Sequence, residues 1–338
     1  MTIQQFKKDS ISMLSGKSPS ANLDVQVLME FALNYTKTQL LLRKDDEIPP
    51  EKLAWLEEAV TKRATGLPVA YITGHKEFYG FDFLVSPAVL IPKPDTEILV
   101  ERALELILES MELHPERILT ICDMCAGSGC IGLSVLKTLT ETYNIPADKL
   151  PKITFADISG AALEVAEKNF THLFGTNRDK LDLSSDDEST SKTQNPKTNK
   201  SLQDLLRSRV AFVQTNLFEA VPYNFDFILT NPPYIPHSLV NSLLQDGRSE
   251  PRLALDGDIT LTGDRAYAPD GSEYDDGLEI IRNLLPQIQE HLNPYGSFLM
   301  ETGEYNAQET EQLARKLGFR TNIIKDLEGQ LRVVEGAV

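Results

Sequence analysis

Ile118-Leu119-Thr120-Ile121-Cys122 runs directly into Asp123-Met124-Cys125-Ala126-Gly127-Ser128-Gly129. A short, β-prone apolar run that breaks into glycines reads as a buried strand ending at a turn. Glycine at such a turn lets the backbone come close to a ligand. The residues from Gly127 to Leu139 then carry a helix. Strand, glycine turn and helix together are the opening unit of a parallel α/β sheet.

The pattern repeats outward from there. Strands are expected at Ile153–Ala156, Val210–Val213, Phe225–Thr230 and Ser297–Met300, with helices at Ala161–Phe170 and Leu278–Leu292. Alternation of this kind argues a parallel sheet covered by helices. The end of the chain differs. Phe319–Ile324 and Leu331–Glu335 are strand-like with no helix between them, so they should form an antiparallel hairpin. Before residue 75 the sequence reads as helical. Leu23, Val27, Leu28 and Phe31 suggest one buried stripe, and Leu53, Leu56 and Val60 another. Residues 76 to 94 are β-prone and punctuated by Gly80 and Ser86-Pro87, which suits a β-hairpin linker. A helix should open at Pro94, with Asp95 or Thr96 as its cap. Two stretches look inserted: the polar residues 176 to 206, expected as a mobile surface loop, and the Gly- and Asp-rich residues 258 to 273, a second loop.

Composition narrows the classes. With 338 residues, 41% of them hydrophobic, the chain can bury more than one core. The formal net charge of -17 gives no broad basic field for a nucleic-acid backbone. It does leave room for a cationic small molecule or a basic protein segment. Cys122 and Cys125 make a C-x-x-C spacing, but no second pair exists and Cys122 would end a buried strand. The five histidines show no ligand spacing along the chain, so no metal site is expected. Three cysteines suit a reducing compartment. With no signal peptide and no run of spanning length, a cytoplasmic, monomeric protein without membrane contact is expected.

Two stretches carry chemistry. Gly127, Gly129 and Gly132 match G-x-G-x-x-G, which is weak alone. Asp157, at the end of the second strand, is placed to hold ribose hydroxyls, as in both nicotinamide and S-adenosylmethionine enzymes. Asp123, four positions before the first glycine, leans toward the latter. The bland alternative is a glycine turn that serves helix–sheet packing alone. The second stretch is Asn231-Pro232-Pro233-Tyr234, at the end of a strand. Two prolines remove two backbone donors and hold Asn231 extended. What remains is a pair of acceptors, the Asn231 side-chain oxygen and the Pro232 carbonyl, beside the aromatic face of Tyr234. Such a set suits a planar NH2 group; an ordinary Asn-Pro turn is the bland alternative.

Taken together these stretches resemble the HemK/PrmC family of release-factor glutamine N5-methyltransferases. Phe83 to Glu97 is similar to its linker signature and Asn231 to Ile235 to its active-site motif. Glu250-Pro251, Ala254-Leu255 and Asp276-Gly277-Leu278 are similar to its next segment, and Asp326 to Gly329 with Arg332 to Val334 to its C-terminal hairpin. The resemblance implies an α/β fold: a seven-stranded, Rossmann-like S-adenosylmethionine methyltransferase domain (95–338) behind a small helical substrate-recognition domain (1–75). It implies S-adenosylmethionine at Asp123, Cys125, Ala126, Gly127, Ser128, Gly129, Asp157, Leu217 and Asn231. The glutamine would lie at Asn231, Pro232, Pro233 and Tyr234, with Asn231, Pro232 and Tyr234 catalytic. The chain departs from the family's pattern at Cys125, where glycine is usual, and at Lys93, where arginine is usual. Asn216-Leu217 stands where Asp and an aromatic are common, leaving Leu217 or Phe218 to cover the adenine.

The implied reaction moves a methyl group to the glutamine of a Gly-Gly-Gln motif in a class 1 peptide chain release factor. Hydrogen bonds from the amide to Asn231 and the Pro232 carbonyl would orient a weak nucleophile and stabilise its developing positive charge. Tyr234 would stack on the amide. No side chain is assigned as base, and the proton leaves to solvent. Competing readings are an amine methyltransferase acting on adenine in nucleic acid, one acting on a ribosomal-protein glutamine, and a non-catalytic binding protein.

Overall fold

The computed structural model describes residues 1–175, 203–245, 249–260, 262–268 and 270–338. Most of the loop expected at 176 to 206 lies outside them. Its last residues, 203–206, belong instead to a helical turn in which Leu206 is buried.

Seven strands form one sheet: β3 (Thr120–Met124), β4 (Lys152–Asp157), β5 (Val210–Gln214), β6 (Phe225–Thr230), β7 (Leu292–Glu301), β8 (Arg320–Lys325) and β9 (Leu331–Ala337). Their order is β5-β4-β3-β6-β7-β9-β8. The pairings from β5 through β7 are parallel, and β9 pairs antiparallel with both β7 and β8. The chain leaves central β3 toward β4 and β5, then crosses back to β6. That reversal opens a crevice at the carboxyl ends of β3, β4 and β6, where open α/β sheets bind ligands.

Side chains alternate along β3, so Ile121 joins one apolar cluster and Cys122 the other. The first cluster is covered by α6 (Glu97–Leu113), α7 (Cys130–Glu141) and α8 (Gly160–Phe174). The second is covered by α10 (Glu279–His291) and α11 (Ala307–Lys316), which lie beyond α9 (His237–Gln245) in the chain. Both faces are dry, which is why the central strands read as continuous apolar runs.

The first helices build a separate core: α1 (Ile3–Leu14), α2 (Ala21–Leu33), α3 (Lys37–Leu42), α4 (Pro50–Ala64) and α5 (Val69–Thr73). In α2 the buried face is Val25, Leu28, Met29 and Ala32, while Leu23 and Phe31 are exposed. The expected stripe was therefore rotated: Asp24 turns inward because Arg63 binds it at 2.7 Å and Ser18 at 2.6 Å. The hairpin is short, β1 (His75–Phe78) and β2 (Phe81–Leu84), turning at Tyr79-Gly80 where both φ values are positive. Residues 85 to 93 continue as a loop without strand structure. A single 3-10 turn, Pro94–Thr96, precedes α6, and neither Asp95 nor Thr96 caps the helix with its side chain.

Candidate active site

The crevice is walled on one side by the glycine loop. Cys125, Ala126, Gly127 and Ser128 line it, and Asp157 and Leu217 close it from β4 and the turn after β5. Gly127 takes φ +54, and a Cβ built there meets nothing within 4 Å, so the space before the loop is open. Cys125 also takes a left-handed φ of +59, a conformation that glycine adopts more easily. Asp157 is fixed by two backbone donors, Gly127 N–H at 2.8 Å and Ser159 N–H at 2.8 Å. Burial raises its pKa, and those two donors oppose the rise. The carboxylate still keeps acceptor capacity for hydroxyls.

Asp123 and Gly129 lie behind this wall and do not line it. Asp123 is fully buried, accepts from Gly132 N–H at 2.9 Å, and has no partner for Oδ1. Burial pushes its pKa up to about 8. Gly132 is needed for packing, since a Cβ there would come within 2.6 Å of the Phe155 ring. Gly132 thus serves helix–sheet packing, whereas the space in front of Gly127 is open. Burial also pushes up the thiols of Cys122, Cys125 and Cys130, away from the thiolate that metal binding or redox exchange would use.

Asn231 and Pro233 line the same crevice, whereas Pro232 is buried and Tyr234 is drawn away from it. Asn231 Nδ2 donates to Thr96 Oγ1 at 3.3 Å, which turns the other end of the amide free. Tyr234 donates its hydroxyl to Glu301 Oε1 at 3.1 Å, and its carbonyl accepts from Asn306 Nδ2 at 3.0 Å. Glu301 ends β7 and is buried; burial pushes its pKa up to about 7, against the Tyr234 bond and nearby Arg332. Leu217, rather than Phe218, reaches the crevice, because Phe218 stacks on His291 at 4.4 Å.

The opposite wall was not read from sequence. It comes from the loop after the hairpin, with Val89, Leu90, Pro92 and Lys93, and from Leu253, Ala254, Ile259 and Thr260. Tyr71 of α5 anchors that loop by donating to the Val89 carbonyl at 2.6 Å, and Lys93 pairs with buried Glu250 at 2.6 Å. The described residues of 258–273 form a loop, as expected, largely exposed from Thr262 on, but its first residues, Asp258 and Ile259, are buried. Both oxygens of Asp258 accept from Gly277 N–H at 2.9 Å, which pins the segment. Thr96 and Glu301 were missed as well. Glu301 carried a usable signal, since it is an acidic residue at a strand's carboxyl end like Asp157.

An open glycine cradle, a fixed carboxylate and apolar walls fit S-adenosylmethionine. Comparison with known proteins adds to this geometry. The family described as PrmC N-terminal domain matches residues 8–74. A release factor glutamine methyltransferase of Koribacter versatilis is 31% identical over 99% of this chain and 98% of its own length. One from Moorella thermoacetica is 32% identical over 98% of this chain and 97% of its own. One from Haemophilus influenzae is 27% identical over 99% of each.

Proposed function

The chain belongs to the release factor glutamine methyltransferases, and from that premise we propose the roles of its residues and the identity of its acceptor. The chain is an S-adenosylmethionine-dependent methyltransferase acting on a glutamine side-chain amide. The acceptor is the glutamine of a Gly-Gly-Gln loop in a class 1 peptide chain release factor. A glutamine flanked by glycines can enter a narrow slot without side-chain collisions at its rim.

The observation that carries this reading is the Asn231 amide. Its nitrogen is held by Thr96, its oxygen has no partner among the described residues, and the side chain belongs to the crevice that Asp157 and Gly127 also line. That oxygen accepts one N–H of the incoming amide, and the Pro232 carbonyl accepts the other. No described residue donates to that carbonyl. The two acceptors aim the nitrogen and stabilise the positive charge that grows on it, because they are in place before the charge appears. S-adenosylmethionine supplies a methyl group already activated by the sulfonium. The protein's task is then mainly alignment, which is worth several kcal/mol of barrier, about 7 or more in favourable cases. Asp157 holds the ribose, Leu217 covers the adenine, and Pro233 with the loop from Val89 to Lys93 excludes water. Tyr234 braces the motif from behind through Glu301. The helical unit, residues 1–75, docks the body of the release factor away from the chemistry, and residues 76–94 join it to the methyltransferase unit, 95–338.

The test is incubation with labelled S-adenosylmethionine and a release factor, its Gln→Ala variant, or DNA. Label is expected on the unaltered factor alone. Label on DNA, or at an unchanged level on the variant factor, would overturn the assignment.

A further inference from the structure

Spacing along the chain gives the five histidines no ligand pattern, but folding brings two of them onto one carboxylate. His75 Nδ1 lies 2.8 Å from Asp82 Oδ2, and His172 Nε2 lies 3.1 Å from the same oxygen. All three donor atoms fall within 4.8 Å of one another. We propose that His75, Asp82 and His172 form a zinc site that staples the hairpin to α8.

The framework around these side chains is built, not incidental. His75 and Asp82 sit diagonally across the hairpin, since His75 pairs with Leu84 and Glu77 with Asp82. Diagonal neighbours on one face are within reach of side chains of this length. His172 comes from α8, three residues after Asn169 and so on the same helix face. Asn169 is fully buried and grips β2 at both ends of one peptide position. Its Oδ1 accepts from Leu84 N–H at 2.7 Å, and its Nδ2 donates to the Leu84 carbonyl at 2.9 Å. The three ligands are thus carried on two elements locked to each other. The Phe31 ring of α2 lies 5.7 Å from the His75 ring, tilted by 45°.

The donor chemistry selects the ion. Two neutral imidazoles and one carboxylate suit zinc, which takes three protein ligands and leaves a fourth position to water. With bonds of about 2.0–2.1 Å, tetrahedral ligand atoms stand about 3.4 Å apart. The two short distances here need to open by about half an ångström, which rotation about the side-chain torsions supplies. The half-exposed ligands leave the outer side open for that water. None of the three lines the methyltransferase crevice, so the site is separate from the chemistry.

The experiment uses the full chain, stripped with chelator and titrated with Zn2+ by calorimetry, then with Co2+ followed by visible absorption. One ion per chain is expected, with a raised melting temperature and a cobalt spectrum lacking thiolate charge-transfer bands. His75→Gln and His172→Gln should each weaken binding at least about tenfold. X-ray absorption of the zinc-loaded unaltered protein should show two imidazoles and no sulfur, a reading that needs no variant. No stoichiometric binding, a sulfur shell, or unchanged affinity in both variants would each overturn the proposal; the paired imidazoles would then be hydrogen-bonded to Asp82 without an ion.

Discussion

The nitrogen of the Asn231 carboxamide is engaged by Thr96, and its oxygen is left for a ligand. Replacing the side chain should therefore spare the cofactor and cost the reaction. Asn231→Ala is expected to lose at least about a hundredfold in kcat, the usual scale for one preorganised polar partner. Calorimetric affinity for S-adenosylhomocysteine should stay within a few-fold. Near-normal turnover would sink the proposed role. Glu301 offers a second test, in stability. Unfolded, it ionises near its ordinary value of 4.5; folded, near 7, because burial, helped by nearby Asp95, outweighs the lowering by its Thr96 and Tyr234 bonds and by Arg332. Between those values the folded chain holds a proton that the unfolded chain has lost. Stability must then fall as pH rises through that window and level off above it. Glu301→Gln cannot ionise, so it should gain on the unaltered protein between pH 5 and pH 8, by up to about 3 kcal/mol. Urea midpoints at the two pH values measure this; parallel behaviour would show that Glu301 does not titrate as described.

At the scale of elements, the segment from Tyr234 to Gly277 depends on one close approach. Gly277 takes φ +73, and a Cβ there would stand 2.0 Å from the Tyr234 carbonyl oxygen. Gly277→Ala should cost well over about 2 kcal/mol and displace Asn231 through the shared backbone. Gly271 is the control: its φ is +84, but nothing lies within 4 Å, so Gly271→Ala should carry only the left-handed strain of about 1–2 kcal/mol. Equal denaturant midpoints for the two variants would refute the packing argument. These elements also mark where sequence reading succeeds. Strands β3, β4 and β6 were legible because both faces are buried and each runs into the crevice: β3 into the glycine loop at Cys125, β4 at Asp157 and β6 at Asn231. The described part of the 258–273 stretch is the loop expected; only the burial at its start was not legible. Its polar residues look like solvent-exposed loop, yet Asp258 is buried because its carboxylate bonds the backbone of Gly277 and His237, a long-range pairing that no local pattern encodes. The rotation of α2 escaped for the same reason, since Arg63 drew Asp24 inward from 39 positions away.

Across the whole molecule, the helical unit exposes Leu23, Phe31, Leu41 and Leu42, the last two 62% and 80% exposed at the end of α3. These apolar side chains are candidates for the remote contact with the release factor. Leu41→Glu with Leu42→Glu should raise KM for the whole factor while leaving a short Gly-Gly-Gln peptide unaffected, because the peptide never reaches them. The whole factor should be far the better substrate of the unaltered enzyme. Equal kcat/KM for peptide and factor would remove the docking role. The loop that Tyr71 anchors has a consequence of its own. It belongs in sequence to the helical unit's tether, yet Val89 and Lys93 line the crevice. Occupancy at either end therefore biases one shared piece of backbone, and thermodynamic reciprocity fixes the result. Whatever factor release-factor binding adds to the affinity for S-adenosylhomocysteine, S-adenosylhomocysteine adds to the affinity for release factor. Tyr71→Phe, which cuts the tether at a single hydroxyl, should shrink both enhancements together.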